Sequence, residues 1–152
     1  MQVVVATDIA VPRRVVWDVI TDPTRQLEFM HGLTRWEPEG PALLGTGARF
    51  RMHMRIGGIE LGELIEIVEF DPPRDMAWTA VRGVGHRGRW RLRAGAPELT
   101  HVELRVTYHA MGGFFARLAD LVAQPIVRSH LEQSLASLKR LLESGDAASR
   151  AS

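Results

Sequence analysis

The sequence predicts an α+β fold in which a curved antiparallel sheet of six or seven strands wraps around a long C-terminal helix, with two short helices after the first strand. Two patterns predict this fold. Through most of residues 34–108, apolar and polar residues alternate with a period of two, which is typical of strands with one buried and one wet face. From Phe114 to Glu143, apolar residues recur every three or four positions, which is typical of a helix that covers such a face.

The first strand and the two short helices are indicated by local composition. Residues Gln2–Ala10 are rich in β-branched side chains and predict a strand. Pro12 suits the first position of a helix, because its ring fixes φ at a helical value. Asp22 and Pro23 repeat this signal as an N-cap and a first helical residue, so we expect a second short helix that ends near Gly32.

Turn signals divide the central region into antiparallel strands, and the last of them is followed by the long helix. Gly57-Gly58 and Gly83–Gly85 each suit a tight hairpin turn, and Asp71-Pro72-Pro73 ends a strand. We expect strands at residues 49–56, 59–70, 76–82, 86–92 and 102–108. Gly112-Gly113 precedes the helix, and Pro125 is expected to kink or divide it.

The two glycine turns predict how neighbouring strands pair. The predicted cross-strand pairs are Ile56–Ile59, Met54–Leu61, Met52–Glu63, Phe50–Ile65, Arg82–His86, Ala80–Gly88 and Trp78–Trp90. Matching of apolar faces adds Trp78 beside Ile67 and Trp90 beside Leu104. The apolar side chains that these registers place on one inward face are Phe50, Met52, Met54, Leu61, Ile65, Ile67, Trp78, Trp90, Leu104 and Val106.

One row of this inward face is mostly polar. It runs through Met52, Glu63, Arg82, His86 and Tyr108. Burying unpaired polar groups is costly, so the row needs an explanation. It either lines one end of a ligand pocket and orients a hydroxyl, carbonyl or carboxylate group, or it holds a solvent-wetted Glu63–Arg82 ion pair of little energetic weight. The sequence leaves both interpretations open.

Composition excludes several classes of function. The 152 residues suit one domain, which we place at residues 1–143, followed by a disordered tail at 144–152. The absence of cysteine excludes disulfides, thiolate chemistry and cysteine-bound zinc. The net charge of +1 gives no reason to expect nucleic acid as a partner. The first residues lack a basic segment and no apolar run is long enough to span a membrane, so we expect a cytoplasmic protein with no integral membrane association.

The order of elements and several short motifs resemble the START-like (helix-grip) superfamily, which includes the polyketide cyclase/dehydrase and lipid-transport proteins. The motifs are Val3–Ala10, Val16-Trp17 with Asp22-Pro23, Gly45-Thr46-Gly47, Glu69–Arg74 followed by Trp78, Gly88–Leu92, Thr107-Tyr108 and Leu131–Leu142. The resemblance covers residues 1 to about 143. It implies a helix-grip fold with a hydrophobic pocket, but no fixed catalytic set, because function resides in the site and not in the fold.

We therefore expect a binding or carrier protein for a hydrophobic small molecule, such as a lipid, a polyketide-like compound or an isoprenoid. The expected ligand-binding residues are Phe29, Met30, Phe50, Met52, Met54, Glu63, Trp78, Arg82, His86, Trp90, Tyr108, Phe115, Leu118 and Val122. The alternative is a cyclase- or dehydratase-type enzyme that uses polar groups of the same cavity, with candidates His86, Glu63, Arg82 and Tyr108. A third possibility is a regulatory protein that pairs through its sheet edge or outer face.

No cofactor or metal is expected. The six histidines show no spacing typical of metal ligands, and no serine lies in a nucleophile motif. His86 is the best candidate for proton transfer, although a structural hydrogen bond to Tyr108 is the simpler interpretation. The helix segment before Pro125 is a candidate lid over the pocket. We expect a monomer or a homodimer.

Overall fold

The fold is a curled antiparallel sheet packed against a long C-terminal helix, as predicted. The computed structural model describes residues 1–56, 58–82, 85–108 and 114–145, with the backbone alone at residues 59 and 114–122. The elements are β1 (Gln2–Ile9), α1 (Arg13–Ile20), α2 (Gln26–Phe29), β2 (Leu33–Glu39), β3 (Arg49–Ile56), β4 (Ile59–Asp71), β5 (Asp75–Arg82), β6 (His86–Ala96), β7 (Leu99–Tyr108) and α3 (Phe114–Glu143). Among the described residues the sheet has seven strands in the order β1-β7-β6-β5-β4-β3-β2.

The short helices begin later than the proline signals suggested. Pro12 is the N-cap of α1 and has an extended backbone, so the helix starts one residue beyond it. Asp22 does not cap α2, which starts at Gln26. Its carboxylate instead accepts hydrogen bonds from the backbone N–H and the hydroxyl of Thr24, at 2.9 and 2.7 Å. This local turn satisfies the aspartate before a helix can form, as is common for Asx residues.

The β3–β4 hairpin has the predicted register, from Ile56 opposite Ile59 to Phe50 opposite Ile65. The predicted register of the β5–β6 hairpin is wrong by two residues, because Trp78 lies opposite Gly88 and Met76 lies opposite Trp90. The pairing of β4 with β5 also shifts between Leu64 and Ile65, which leaves Val81 as an extra residue in β5. A bulge of this kind turns the following side chains to the other face of the sheet.

The core lies between the inner face of the sheet and α3. The helix continues through Pro125 without a break. Its buried stripe is formed by Val127, Leu131, Leu135, Leu138 and Leu142, and it packs chiefly against β1 and α2. None of the helices in the described part of the chain has the length and apolar character required of a membrane span. The predicted tail beyond Gly145 and the Gly112-Gly113 signal lie outside the described residues.

A buried serine joins α3 to the segment that follows α2. The Ser134 hydroxyl accepts a hydrogen bond from the backbone N–H of His31 at 2.8 Å. It also donates to the carbonyl of His130 at 2.8 Å. Ser134 is 1% exposed, so water cannot replace it as a partner for the His31 N–H. This contact fixes the position of Met30 relative to α3.

We predict that Ser134→Ala lowers the free energy of unfolding by about 1–3 kcal/mol, because a buried backbone donor loses its acceptor. Denaturant titration measures the loss. Ser129→Ala is the control, because Ser129 lies exposed on the same helix and accepts a hydrogen bond from Gln133, and it should change stability by less than about 0.5 kcal/mol. Equal stability of the two variants would show that the hydrogen bond between Ser134 and His31 does not stabilise the fold.

Candidate functional site

An apolar cavity lies between the inner face of the sheet, the α1–α2 segment and α3. The volume that the centre of a water molecule can reach inside the cavity is about 70 Å³. The lining residues are Ile20, Thr21, Pro23, Gln26, Met30, Leu33, Trp36, Leu43, Leu44, Gly45, Phe50, Met52, Met54, Ile67, Phe70, Met76, Trp78, His86, Trp90, Val106, Tyr108 and Leu131.

Most of the residues predicted to bind ligand lie around this cavity. Those that line it are Met30, Phe50, Met52, Met54, Trp78, His86, Trp90 and Tyr108. Phe29 lies behind the wall, where its ring packs edge-on against Trp90 with ring centres 6.2 Å apart. The side chains of Phe115, Leu118 and Val122 are outside the described part of the chain, so their role as ligand contacts and the lid hypothesis stay predictions.

Arg82 is not part of this arrangement, and its predicted place on the inward face is wrong. The bulge at Val81 pairs Arg82 with Leu64 and not with Glu63. Its side chain is exposed and borders a separate cleft on the outer face, whose lining also includes Arg51, His53 and Glu63. The predicted Glu63–Arg82 ion pair is absent from the described residues.

Glu63 contacts a histidine across the sheet. The Glu63 carboxylate lies against Nδ1 of His86, and the side chains of this pair are 2% and 5% exposed. Nε2 of His86 lies 3.0 Å from Nε1 of Trp78. The predicted hydrogen bond between His86 and Tyr108 does not form. Their rings stack instead, with centres 5.6 Å apart and planes inclined by 28°.

The hydrogen bond from Trp78 assigns the protonation of His86. An indole N–H can only donate, so Nε2 of His86 must be the acceptor. A neutral imidazole with an acceptor at Nε2 carries its proton at Nδ1, where it faces the Glu63 carboxylate. The pair therefore holds one net negative charge, that of Glu63. With Nε2 occupied by Trp78, His86 offers no free nitrogen to a molecule in the cavity.

A glycine makes room for Trp78. A Cβ atom added at Gly88 would lie 1.9 Å from Cζ2 of Trp78, so the indole rests directly on the backbone of β6. Trp78 lies opposite Gly88 in the sheet, and this position brings its Nε1 to His86. A larger residue at position 88 would push the indole toward the cavity. Gly88 is thus a close-approach position and not a turn residue.

Tyr108 offers a free hydroxyl. Its backbone N–H donates to the Met1 carbonyl at 2.8 Å, which holds the end of β7 against β1. No group in the described part of the chain hydrogen-bonds to the phenol oxygen, although the ring lines the cavity. Burial raises the pKa of the Tyr108 phenol to about 12, and the negative charge of Glu63 adds to this shift. The phenol is therefore neutral near pH 7 and able to donate a hydrogen bond.

Two further polar groups in the lining were not predicted. Nε1 of Trp36 is buried without a hydrogen-bond partner in the described part of the chain, while its ring stacks on Phe50 with centres 4.9 Å apart. Gln26 donates from Nε2 to the carbonyls of Ile20 and Asp22, at 2.7 and 3.3 Å. This leaves its amide oxygen as an acceptor. The alternating pattern could have predicted the place of Trp36 in the lining, because Trp36 pairs with Met52 in the register of β2 with β3.

Comparison with known proteins identifies the fold and the family. The family model described as polyketide cyclase / dehydrase and lipid transport matches residues 1–143. The chain is similar to the crystal structure of TTHA0849 from Thermus thermophilus, with a TM-score of 0.81 and 21% identity over 95% of this chain and 99% of that one. A search of curated proteins found no match.

Two other solved structures show the same fold. The Zhui aromatase/cyclase from Streptomyces sp. R1128 has a TM-score of 0.78 and 18% identity, over 100% of this chain and 96% of that one. The protein Ara h 8.0201 has a TM-score of 0.68 and 16% identity, over 94% of this chain and 98% of that one.

We predict that Gly88→Ala destabilises the protein by about 1–3 kcal/mol and alters the near-ultraviolet circular dichroism of tryptophan, because the new methyl group displaces Trp78. Gly95→Ala is the matched control on the same strand, where an added Cβ would meet nothing closer than 3.6 Å. If both variants kept the wild-type spectrum and stability, Trp78 would not rest on Gly88.

We also predict that Tyr108, whose pKa burial raises to about 12, ionises only near that pH in the folded protein. It is the sole tyrosine of the chain, so phenolate absorbance reports on it directly. Because burial keeps the phenol protonated where an unfolded chain has already lost that proton, the free energy of unfolding should fall as pH rises between about 10 and about 12. In denaturant the midpoint should return to about 10. A folded-state midpoint near that unfolded value would contradict the burial of this ring.

Proposed function

Because the chain belongs to the polyketide cyclase / dehydrase and lipid transport family, we propose that it binds a small hydrophobic molecule in the cavity between its sheet and α3. The observation that carries this proposal is an apolar cavity whose lining includes Tyr108, a residue whose hydroxyl has no hydrogen-bond partner among the described residues. We place this function in the single domain at residues 1–143, and we propose a lipid, a polyketide-like compound or an isoprenoid as the ligand.

The lining supports this proposal in two ways. Methionines at positions 30, 52, 54 and 76 contribute flexible, polarisable side chains that adapt to ligand shape. Tryptophans at positions 36, 78 and 90 contribute flat apolar surfaces. Some 70 Å³ of the cavity already admits the centres of water molecules, which is several times what one water needs. An apolar ligand that displaced this water would gain binding energy from the hydrophobic effect.

The second candidate is a cyclase- or dehydratase-type enzyme. It is favoured by the buried contact of Glu63 with His86, which lines the cavity, together with the free hydroxyl of Tyr108. One of the similar structures is an aromatase/cyclase by its name. Proton transfer by His86 would require Nε2 to leave Trp78, because that bond occupies the nitrogen that a substrate must reach. Binding needs no such rearrangement, and for this reason we rank it first.

We predict that the neutral dye N-phenyl-1-naphthylamine binds at one saturable site and raises the thermal midpoint of unfolding. Met30→Trp should weaken its binding about tenfold or more, because Met30 is half-buried and lines the cavity. Leu27→Trp is the matched control, since Leu27 lies on α2, is 55% exposed and does not line the cavity.

Dye fluorescence measures both affinities. Loss of affinity in Met30→Trp alone supports binding inside the cavity. If the wild-type protein gave no saturable binding, or if both variants bound like the wild type, the proposed function would be wrong.

A further inference from the structure

The charge of the cavity wall restricts the ligands that it can accept. Within the described part of the chain, no lysine, arginine, aspartate or glutamate lines the cavity. A ligand carboxylate that entered would lose its hydration without gaining a cationic partner, which is strongly unfavourable. The same argument holds for an ammonium group, because no acidic side chain among the described residues lines the space.

Glu63 strengthens the exclusion of anions. Its carboxylate sits directly behind His86, and the structure gives it no contact with an arginine or lysine among the described residues. Arg82 and Arg51 border the outer cleft whose lining includes Glu63, but neither arginine forms an ion pair with it. Since His86 is neutral in this arrangement, no direct ion pair compensates the charge of Glu63, which acts through a poorly screened interior.

The unpartnered polar groups favour ligands with an acceptor atom. Tyr108 lines the cavity and its hydroxyl has no hydrogen-bond partner within the described residues, and the buried Nε1 of Trp36 also lacks one. Both groups can donate a hydrogen bond, and leaving the buried Nε1 of Trp36 unpaired is unfavourable. A carbonyl, ester or ether oxygen satisfies such a donor without bringing a charge into the cavity.

From these observations we infer that the cavity selects uncharged ligands with a hydrogen-bond acceptor, that Tyr108 anchors the acceptor, and that Glu63 excludes carboxylates. The inference rests on the proposed binding function and narrows its ligand class to neutral carbonyl-, ester- or ether-bearing apolar molecules. Free fatty acids and other carboxylates fall outside this class. Tyr108 contacts the ligand, whereas Glu63 acts through its field and through the orientation of His86.

Three probes with the same ring system test this inference. Methyl 2-naphthoate is neutral, 2-naphthoate is an anion and 2-naphthylmethylammonium is a cation at neutral pH. Calorimetric titration of the full chain should show the ester binding at least about tenfold more tightly than either ion. Moderate changes in salt should not alter this ratio, because screening acts weakly on buried charges.

Two variants, with one control, test which residues cause the selectivity. Glu63→Gln should lower the ratio of ester affinity to 2-naphthoate affinity by about fivefold or more, since it removes the buried charge. Glu66→Gln is the matched control on β4, where Glu66 pairs with Arg49 on the exposed face, and it should keep the wild-type ratio. Tyr108→Phe should weaken the ester several-fold and leave 2-methylnaphthalene, which has no acceptor, unchanged.

The outcomes separate this inference from the proposed function. If no neutral probe binds, the cavity does not hold ligands and both fail. If 2-naphthoate or the ammonium compound binds as tightly as the ester, the selectivity is wrong while the binding function stands. If Glu63→Gln keeps the wild-type ratio of ester to 2-naphthoate affinity, Glu63 does not exclude carboxylates. If that variant does not fold, the wild-type ratio and the effect of Tyr108→Phe on ester binding test the inference.

Discussion

A chain of polar contacts from Trp78 through His86 to Glu63 determines the shape of the inner face. The indole rests on Gly88, where any larger residue would collide with it, and its N–H fixes the imidazole of His86. The imidazole in turn faces the buried Glu63 carboxylate. These residues come from β4, β5 and β6, so the chain ties three neighbouring strands together at the cavity wall. Because the polar groups of this chain face one another, they can lie in an otherwise apolar interior.

The same contacts explain why the cavity is mostly apolar and still has a few polar groups beside it. The polar atoms of Glu63 and His86 face each other, His86 also accepts from Trp78, and the ring of Tyr108 stacks on His86. Behind them, the buried stripe of α3 packs mainly on β1, and only Leu131 of that stripe borders the cavity. Space therefore remains between the sheet and the α1–α2 segment. The Ser134–His31 hydrogen bond holds the end of α2 at the border of this space.

Much of this arrangement follows from the period-two pattern of the sequence. The Gly57-Gly58 signal predicts the pairing of β3 with β4, and the inward placement of Phe50, Met52 and Trp90 follows from it and from apolar matching. The β5–β6 register could not be predicted in the same way. A bulge adds a residue at Val81, and the hairpin register also depends on how the Trp78 indole packs over Gly88. Both are three-dimensional packing effects that leave no period in the sequence.

The error at Arg82 had the largest consequence for the site. Because the register shifts, Glu63 contacts His86 and does not form the expected ion pair with Arg82. Arg82, the only cation predicted for the cavity, lies on the outer face. Alternation alone places residue types on a face, but it does not show which polar partners meet across strands.

The protonation of His86 gives the most direct test of this account. Long-range nitrogen–proton NMR of the imidazole rings distinguishes the two neutral tautomers and the charged form. The hydrogen bond from Trp78 predicts a neutral His86 with its proton on Nδ1 and a bare Nε2. A proton on Nε2 at neutral pH would contradict the Trp78–His86–Glu63 chain and the uncompensated charge assigned to the cavity wall.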